Sequence, residues 1–231
     1  MIKKIILMFI FIVLLTGCTA EYNLNINRDF IIDEDIIIRD SIFSVKKQNL
    51  DVDSFVELNV DGYKSDPRYS MYMYEKVVDN SYAKVIAKTT YLDFLSYKQN
   101  NVVKTSLFDT FNIINNGNTY IFAYKLKPRD EIKIFEEEDL YGSLIDEVKI
   151  NITLPFEVIS NNADKVNVDA GTYTWNYSKN GVLKDIILEF NANKMSLGRI
   201  AIGLYFVLGF AIILLAIFGY AFYKYKSHNR V

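Results

Sequence analysis

The sequence predicts an α+β protein: a predominantly antiparallel β ectodomain with one or two short helices, plus one C-terminal transmembrane helix. Three observations carry this expectation. Several stretches between residues 19 and 190 alternate apolar and polar side chains with a period of two, as half-buried strands do. Turn-forming pairs such as Asn116-Gly117 and Asn180-Gly181 punctuate them. Both ends of the chain are apolar, whereas the middle is charged.

The N-terminal end comes first. Lys3 and Lys4 precede an apolar run over 5–15, the n-region and h-region of a signal peptide spanning 1–17. Leu15-Thr16-Gly17-Cys18 then resembles the bacterial lipobox. That resemblance implies cleavage between Gly17 and Cys18 and a diacylglyceryl (palmitate-type) group on the Cys18 thiol. Cys18 is the only cysteine, so no disulfide competes for it. The plainer alternative is a buried cysteine in an N-terminal anchor helix. One acyl chain holds a membrane only marginally, and a diacyl group supplies the second.

At the other end, 199–223 reads as a transmembrane helix. The uncharged run 200–223 has 24 residues. At about 1.5 Å per residue it reaches roughly 36 Å, enough for a hydrocarbon core of ~30 Å. Lys224, Lys226 and Arg230 make 224–231 a short basic tail, placed in the cytoplasm by the positive-inside tendency. Residues 18–198 are then extracytoplasmic. All 28 acidic residues lie in 19–198 against 20 basic ones, a net of −8. An acidic body of this kind is not expected to bind nucleic acid. Its expected partner is the lipid bilayer of the cell membrane.

The strands follow in order. Tyr22, Leu24 and Ile26 alternate with asparagines. Asp33-Glu34-Asp35 reads as the turn of a first hairpin over 21–46. Residues 50–60 predict a short helix capped by Asp51 or Asp53. Residues 62–67 read as a loop, with Asp66 held extended by Pro67. In 69–74, Tyr69, Met71 and Met73 share one strand face and Ser70, Tyr72 and Tyr74 the other. Large groups on both faces predict a central strand; the alternative is a cavity wall suited to a lipid tail.

Asp79-Asn80 turns the chain into a strand over 82–91, with Ala83, Val85, Ala87 and Thr89 on one side. Residues 92–109 allow a short helix around Leu92, Leu95 and Lys98. The clearest hairpin joins 111–114 to 119–126, because Gly117 supplies the positive φ of a tight turn. Val148, Ile150 and Ile152 alternate up to Leu154-Pro155. Segments 156–159, 165–168, 172–177 and 183–190 complete a meander.

Catalytic chemistry finds little to use. The only histidine is His228, near the C-terminus, so the ectodomain holds no histidine triad. No G-x-S-x-G, P-loop or G-x-G-x-x-G motif occurs. Asp33-Glu34-Asp35 and Glu136-Glu137-Glu138-Asp139 lack the spacing of a Ca²⁺ loop and read as solvated runs. No metal, no cofactor and no enzymatic activity are expected. Trp175 shares a face with Tyr173 and Tyr177, which reads as a core strand in preference to an aromatic ligand strip.

The arrangement as a whole has a family likeness. A lipobox is followed by the strand Tyr22-Asn23-Leu24-Asn25-Ile26, and a β-rich region closes on Ile150-Asn151-Ile152-Thr153-Leu154-Pro155 and Tyr173-Thr174-Trp175 before a single helix and a basic tail. This is similar to the LppM-like family of bacterial lipoproteins. The resemblance implies an exported α+β domain, a non-enzymatic role and binding of lipid or glycolipid at the envelope. Leu154-Pro155 and Trp175 match its characteristic positions, as structural residues. The function expected is a membrane-anchored envelope lipoprotein that binds a lipid or another amphiphile. The alternative is an interaction or accessory subunit of a membrane-protein complex.

Overall fold

The computed structural model describes residues 18–47, 51–100, 107–135 and 145–195, together with Phe210, Ile213 and Ile217. The signal segment 1–17 with Gly17, the acidic run 136–139 and most of 199–231 lie outside the described residues. Among the described residues no helix is long and apolar enough to cross a membrane.

Two sheets make the body. The larger has the order β3-β4-β2-β1-β7-β10-β9 and the smaller β5-β6-β11-β8. Alternation builds the centre of the larger sheet: β1 (Cys18–Ile26) and β2 (Ile32–Ser41) bury every second residue. β4 (Tyr82–Tyr91) does the same through Ala83, Val85, Ala87, Thr89 and Tyr91, and β7 (Ile145–Thr153) through Val148, Ile150 and Ile152. β3 (Met73–Val78) and β9 (Lys165–Asn167) are the edges. In β10 (Thr172–Ser178), Tyr173, Trp175 and Tyr177 all point into the core, as the sequence predicts. The smaller sheet holds β5 (Phe108–Asn116), β6 (Thr119–Leu126), β8 (Phe156–Asn161) and β11 (Ile186–Met195). Its inward rings meet the larger sheet, with Phe108 5.9 Å from Tyr177.

The antiparallel expectation holds for every described pairing except one. β1 runs parallel to β7, with Thr19 opposite Glu147 and Asn25 opposite Thr153. This long-range pairing puts the first strand in mid-sheet, where both backbone edges are satisfied. The expected meander is also corrected. The chain changes sheets three times, at Leu154-Pro155, over 162–164 and over 179–185, so β8 and β11 lie in one sheet and β9 and β10 in the other. Pro155 has no N–H to give a continuing ladder, which ends β7 there.

Three further expectations change. The first hairpin turns at 27–31, not at Asp33-Glu34-Asp35. The Asn27 carboxamide accepts from the backbone N–H of Asp29 (2.8 Å) and Ile31 (3.0 Å), closing an Asx-type turn in which Phe30 has φ 61°. The acidic triplet therefore continues β2, and Glu34 faces inward.

Residues 69–74 do not form a central strand. Pro67–Tyr69 is a 3₁₀ turn, and β3 is an exposed edge with Met73 74% accessible. Tyr63 stacks on Tyr74 and meets Tyr69 edge-on, and Tyr69 in turn contacts Tyr72, while Met71 and Met73 are left outside.

The helices differ in extent. α1 (Ile42–Lys47) precedes α2 (Val52–Ser65), which Asp51 caps by accepting from the backbone N–H of Asp53 (2.9 Å) and Ser54 (3.3 Å). α2 runs on through Gly62 and stops at the extended Asp66 before Pro67. Its Phe55, Val56 and Val60 pack on Val45, Ala83 and Val85. α3 (Phe94–Asn100) buries Tyr97, while Leu92 and Leu95 are exposed.

Candidate functional site

The most unusual chemistry inside the body is a carboxyl group. The alternation of β2 brings Ile32, Glu34, Ile36, Ile38 and Asp40 to the inner face, and Glu34 is 0% exposed. Its Oε2 accepts hydrogen bonds from the Tyr72 hydroxyl and from the Tyr91 hydroxyl at 2.9 Å. Those two hydroxyls are 3.1 Å apart. The Tyr91 ring lies edge-on to Tyr97 at 5.1 Å, and the Tyr97 hydroxyl is 2.6 Å from that of Tyr124 on β6. A polar seam thus crosses from the larger sheet to the smaller through apolar surroundings.

Burial pushes the Glu34 carboxyl up to about 7, against the opposing pull of the Tyr72 and Tyr91 hydrogen bonds. Burial likewise raises Tyr72, Tyr91 and Tyr97, so their hydroxyls remain protonated donors. Glu34 Oε1 has no hydrogen-bond partner among the described residues. A neutral carboxyl tolerates that position far better than a carboxylate does. Sequence reading missed the site because it made Glu34 part of a turn. The signal was there: a glutamate in the inward register of an isoleucine-rich strand.

The residues singled out from sequence are not brought together. Cys18 is the first residue of β1, 3% exposed and opposite Ile145. Trp175 lies in the core and donates its Nε1–H to Asn162 Oδ1 at 2.8 Å. Of the two acidic runs, 33–35 is strand. Among the described residues no group of three His, Cys, Asp or Glu side chains is placed to hold a metal ion.

One end of the sandwich is closed by rings. Phe30, in the 27–31 turn, lies 5.1 Å from Phe94 of α3, 5.4 Å from Tyr120 of β6 and 5.4 Å from Phe156 of β8. A bulky residue at positive φ is uncommon and costs about 1–3 kcal/mol, which these ring contacts offset. Met195, the last residue of β11, pairs with Phe156 at this same end. Leu92 is 76% exposed and Leu95 64%, on either side of the anchored Phe94.

No family model matches the chain, and no curated protein matches it. Among solved structures it is similar to the folded domain of the LppM protein of Mycobacterium tuberculosis, determined by NMR, with a TM-score of 0.47 and 15% identity, covering 79% of this chain and 94% of that one.

Proposed function

We propose that the chain is an exported, membrane-anchored envelope module that carries out no catalysis. In this reading, the Cys18 thiol takes the diacylglyceryl group and the chain is cleaved behind Gly17, the segment 199–223 spans the membrane, and 224–231 stays in the cytoplasm. One observation carries it. The acidic body starts with β1 at Cys18 and ends with β11 at Met195, so both apolar segments of the sequence lie immediately outside it. Phe210, Ile213 and Ile217 are helical and 65%, 57% and 59% exposed, as lipid-facing side chains are.

Glu34 is sealed from solvent, which favours a structural over a catalytic role. Buried rings meet across the two sheets, as Phe108 does with Tyr124 on its own sheet and Tyr177 on the other. That packing favours contact with an amphiphile or a membrane-protein partner at the surface over enclosure of a lipid tail.

The test is protease added to intact cells, combined with acyl labelling. The expected result is digestion of 18–198, survival of a membrane-bound C-terminal fragment, and loss of label in Cys18→Ser. Digestion confined to 224–231 would reverse the orientation. Unchanged label and mass in Cys18→Ser would remove the lipid from the account.

A further inference from the structure

We propose that the ring-closed end of the sandwich rests on the lipid bilayer, with Leu92 and Leu95 entering the interface. The proposal rests on the membrane-anchored reading above and assigns it a contact surface.

Both leucines are held outward by local structure. Phe94 sits between them and takes the inward position, 5.1 Å from Phe30, 5.4 Å from Tyr120 and 5.2 Å from Phe122. The Asp93 carboxylate accepts from the Ser96 backbone N–H at 2.7 Å, and Tyr97 is fully buried one turn on. The 92–95 segment is thus pinned at both sides, and its two leucines have no core site left to occupy. Such rigidity matters, because little conformational freedom is lost when the side chains enter lipid.

The chain itself says what covers them. β11 leaves the body at Met195, opposite Phe156, and the Phe156 ring lies 5.4 Å from Phe30, which touches Phe94. The exit of the C-terminal strand and the exposed leucines therefore share one end. The uncharged run begins at Ile200. The four residues 196–199 reach about 14 Å at most, so a run seated in the bilayer holds this end against the surface.

Charge sets the depth. Hydrogen bonds from the Ser96 backbone and hydroxyl hold Asp93 below the usual carboxylate range, so it stays ionised. Arg28 and Asp29 occupy the neighbouring 27–31 turn. These groups remain among headgroups while the leucines pass the acyl boundary, a shallow interfacial seat of roughly 5–10 Å.

The test uses chain 18–231 with Cys18→Ser, so that no acyl group biases the tilt. It is reconstituted in vesicles of phosphatidylcholine with a minority of phosphatidylglycerol. An environment-sensitive fluorophore is placed at Leu95→Cys, at Leu92→Cys or, at the far end of the body, at Val182→Cys, which is 80% exposed. Shallow spin-labelled lipid is expected to quench positions 92 and 95 about threefold more than 182, with blue-shifted emission at the first two. Equal quenching at all three positions, or stronger quenching at 182, overturns the proposal. Flotation separates the two readings. A chain that floats with unquenched labels at 92 and 95 keeps the anchored reading and loses this contact surface; a chain that does not float loses both.

Discussion

Cys18 and Met195 lie at opposite ends of the sandwich. Cys18 stands beside Ile145 at the start of β7, whereas Met195 pairs with Phe156, just beyond the end of β7. β1 has nine residues, so at roughly 3.3 Å per step its ends are about 26 Å apart. The four residues 196–199 reach about 14 Å at most. A body tethered in one leaflet through both an acylated Cys18 and the C-terminal run must therefore lie with β1 inclined toward the membrane surface.

That geometry makes the two tethers separable. Full-length Cys18→Ser is expected to stay in alkali-washed membranes, held by the C-terminal run. A chain 18–198, freed of its signal segment, is expected to stay only while Cys18 carries its acyl group. Val182 lies beyond Ser178, which pairs with Glu147 at the Cys18 end. Energy transfer from a label at 182 to a lipid dye should accordingly rise on acylation. Release of full-length Cys18→Ser into the wash would show that 199–223 is no span.

Glu34 predicts a falling stability as pH rises. Its folded value of about 7 lies above the ordinary 4.5, so the folded state holds its proton more tightly than the unfolded chain does. The contribution is fully present below pH 4.5 and is lost as pH rises through about 7. The difference amounts to about 3 kcal/mol. Urea unfolding of the 18–198 segment at pH 5 and pH 8 measures it, and Glu34→Gln should flatten the dependence. An equal pH slope in Glu34→Gln would show that some other group is responsible.

Asn162 clasps the two sheets. Its Oδ1 accepts from Trp175 Nε1 at 2.8 Å and from the Ile187 backbone N–H at 3.0 Å, and its Nδ2 donates to the Asp185 carbonyl at 2.7 Å. Asn162→Ala strands the indole N–H and two backbone groups, an expected loss of about 2–3 kcal/mol. Trp175 is the only tryptophan, so its emission reports the change directly. A shift in the urea midpoint worth less than about 0.5 kcal/mol would show that water replaces Asn162 without cost.

Much of this architecture is legible residue by residue. The period-two rows of β1, β4, β7 and β10, the Asp51 cap and the Gly117 turn are local patterns, and each appears where the alternation or turn chemistry places it. Local reading failed where two local signals competed. Asp33-Glu34-Asp35 has turn composition, but the Asx turn at Asn27 closes first and leaves the triplet in strand. The tyrosines of 69–74 have strand alternation, but the 3₁₀ turn at Pro67 and the ring contacts with Tyr63 bend them away.

The Glu34–tyrosine seam needed the third dimension. Glu34, Tyr72, Tyr91, Tyr97 and Tyr124 come from two strands, a loop, a helix and the opposite sheet.

The order of side chains along the chain settled which faces are apolar, where the turns close, and that the acidic middle is flanked by two apolar segments. Those properties depend on neighbours a few residues apart. The parallel seat of β1 beside β7, the burial of Glu34 and the separation of Cys18 from Met195 were decided by tertiary structure alone. Each depends on contacts between segments more than a hundred residues apart, or on sheets that meet only after folding, and short-range periodicity carries no record of them.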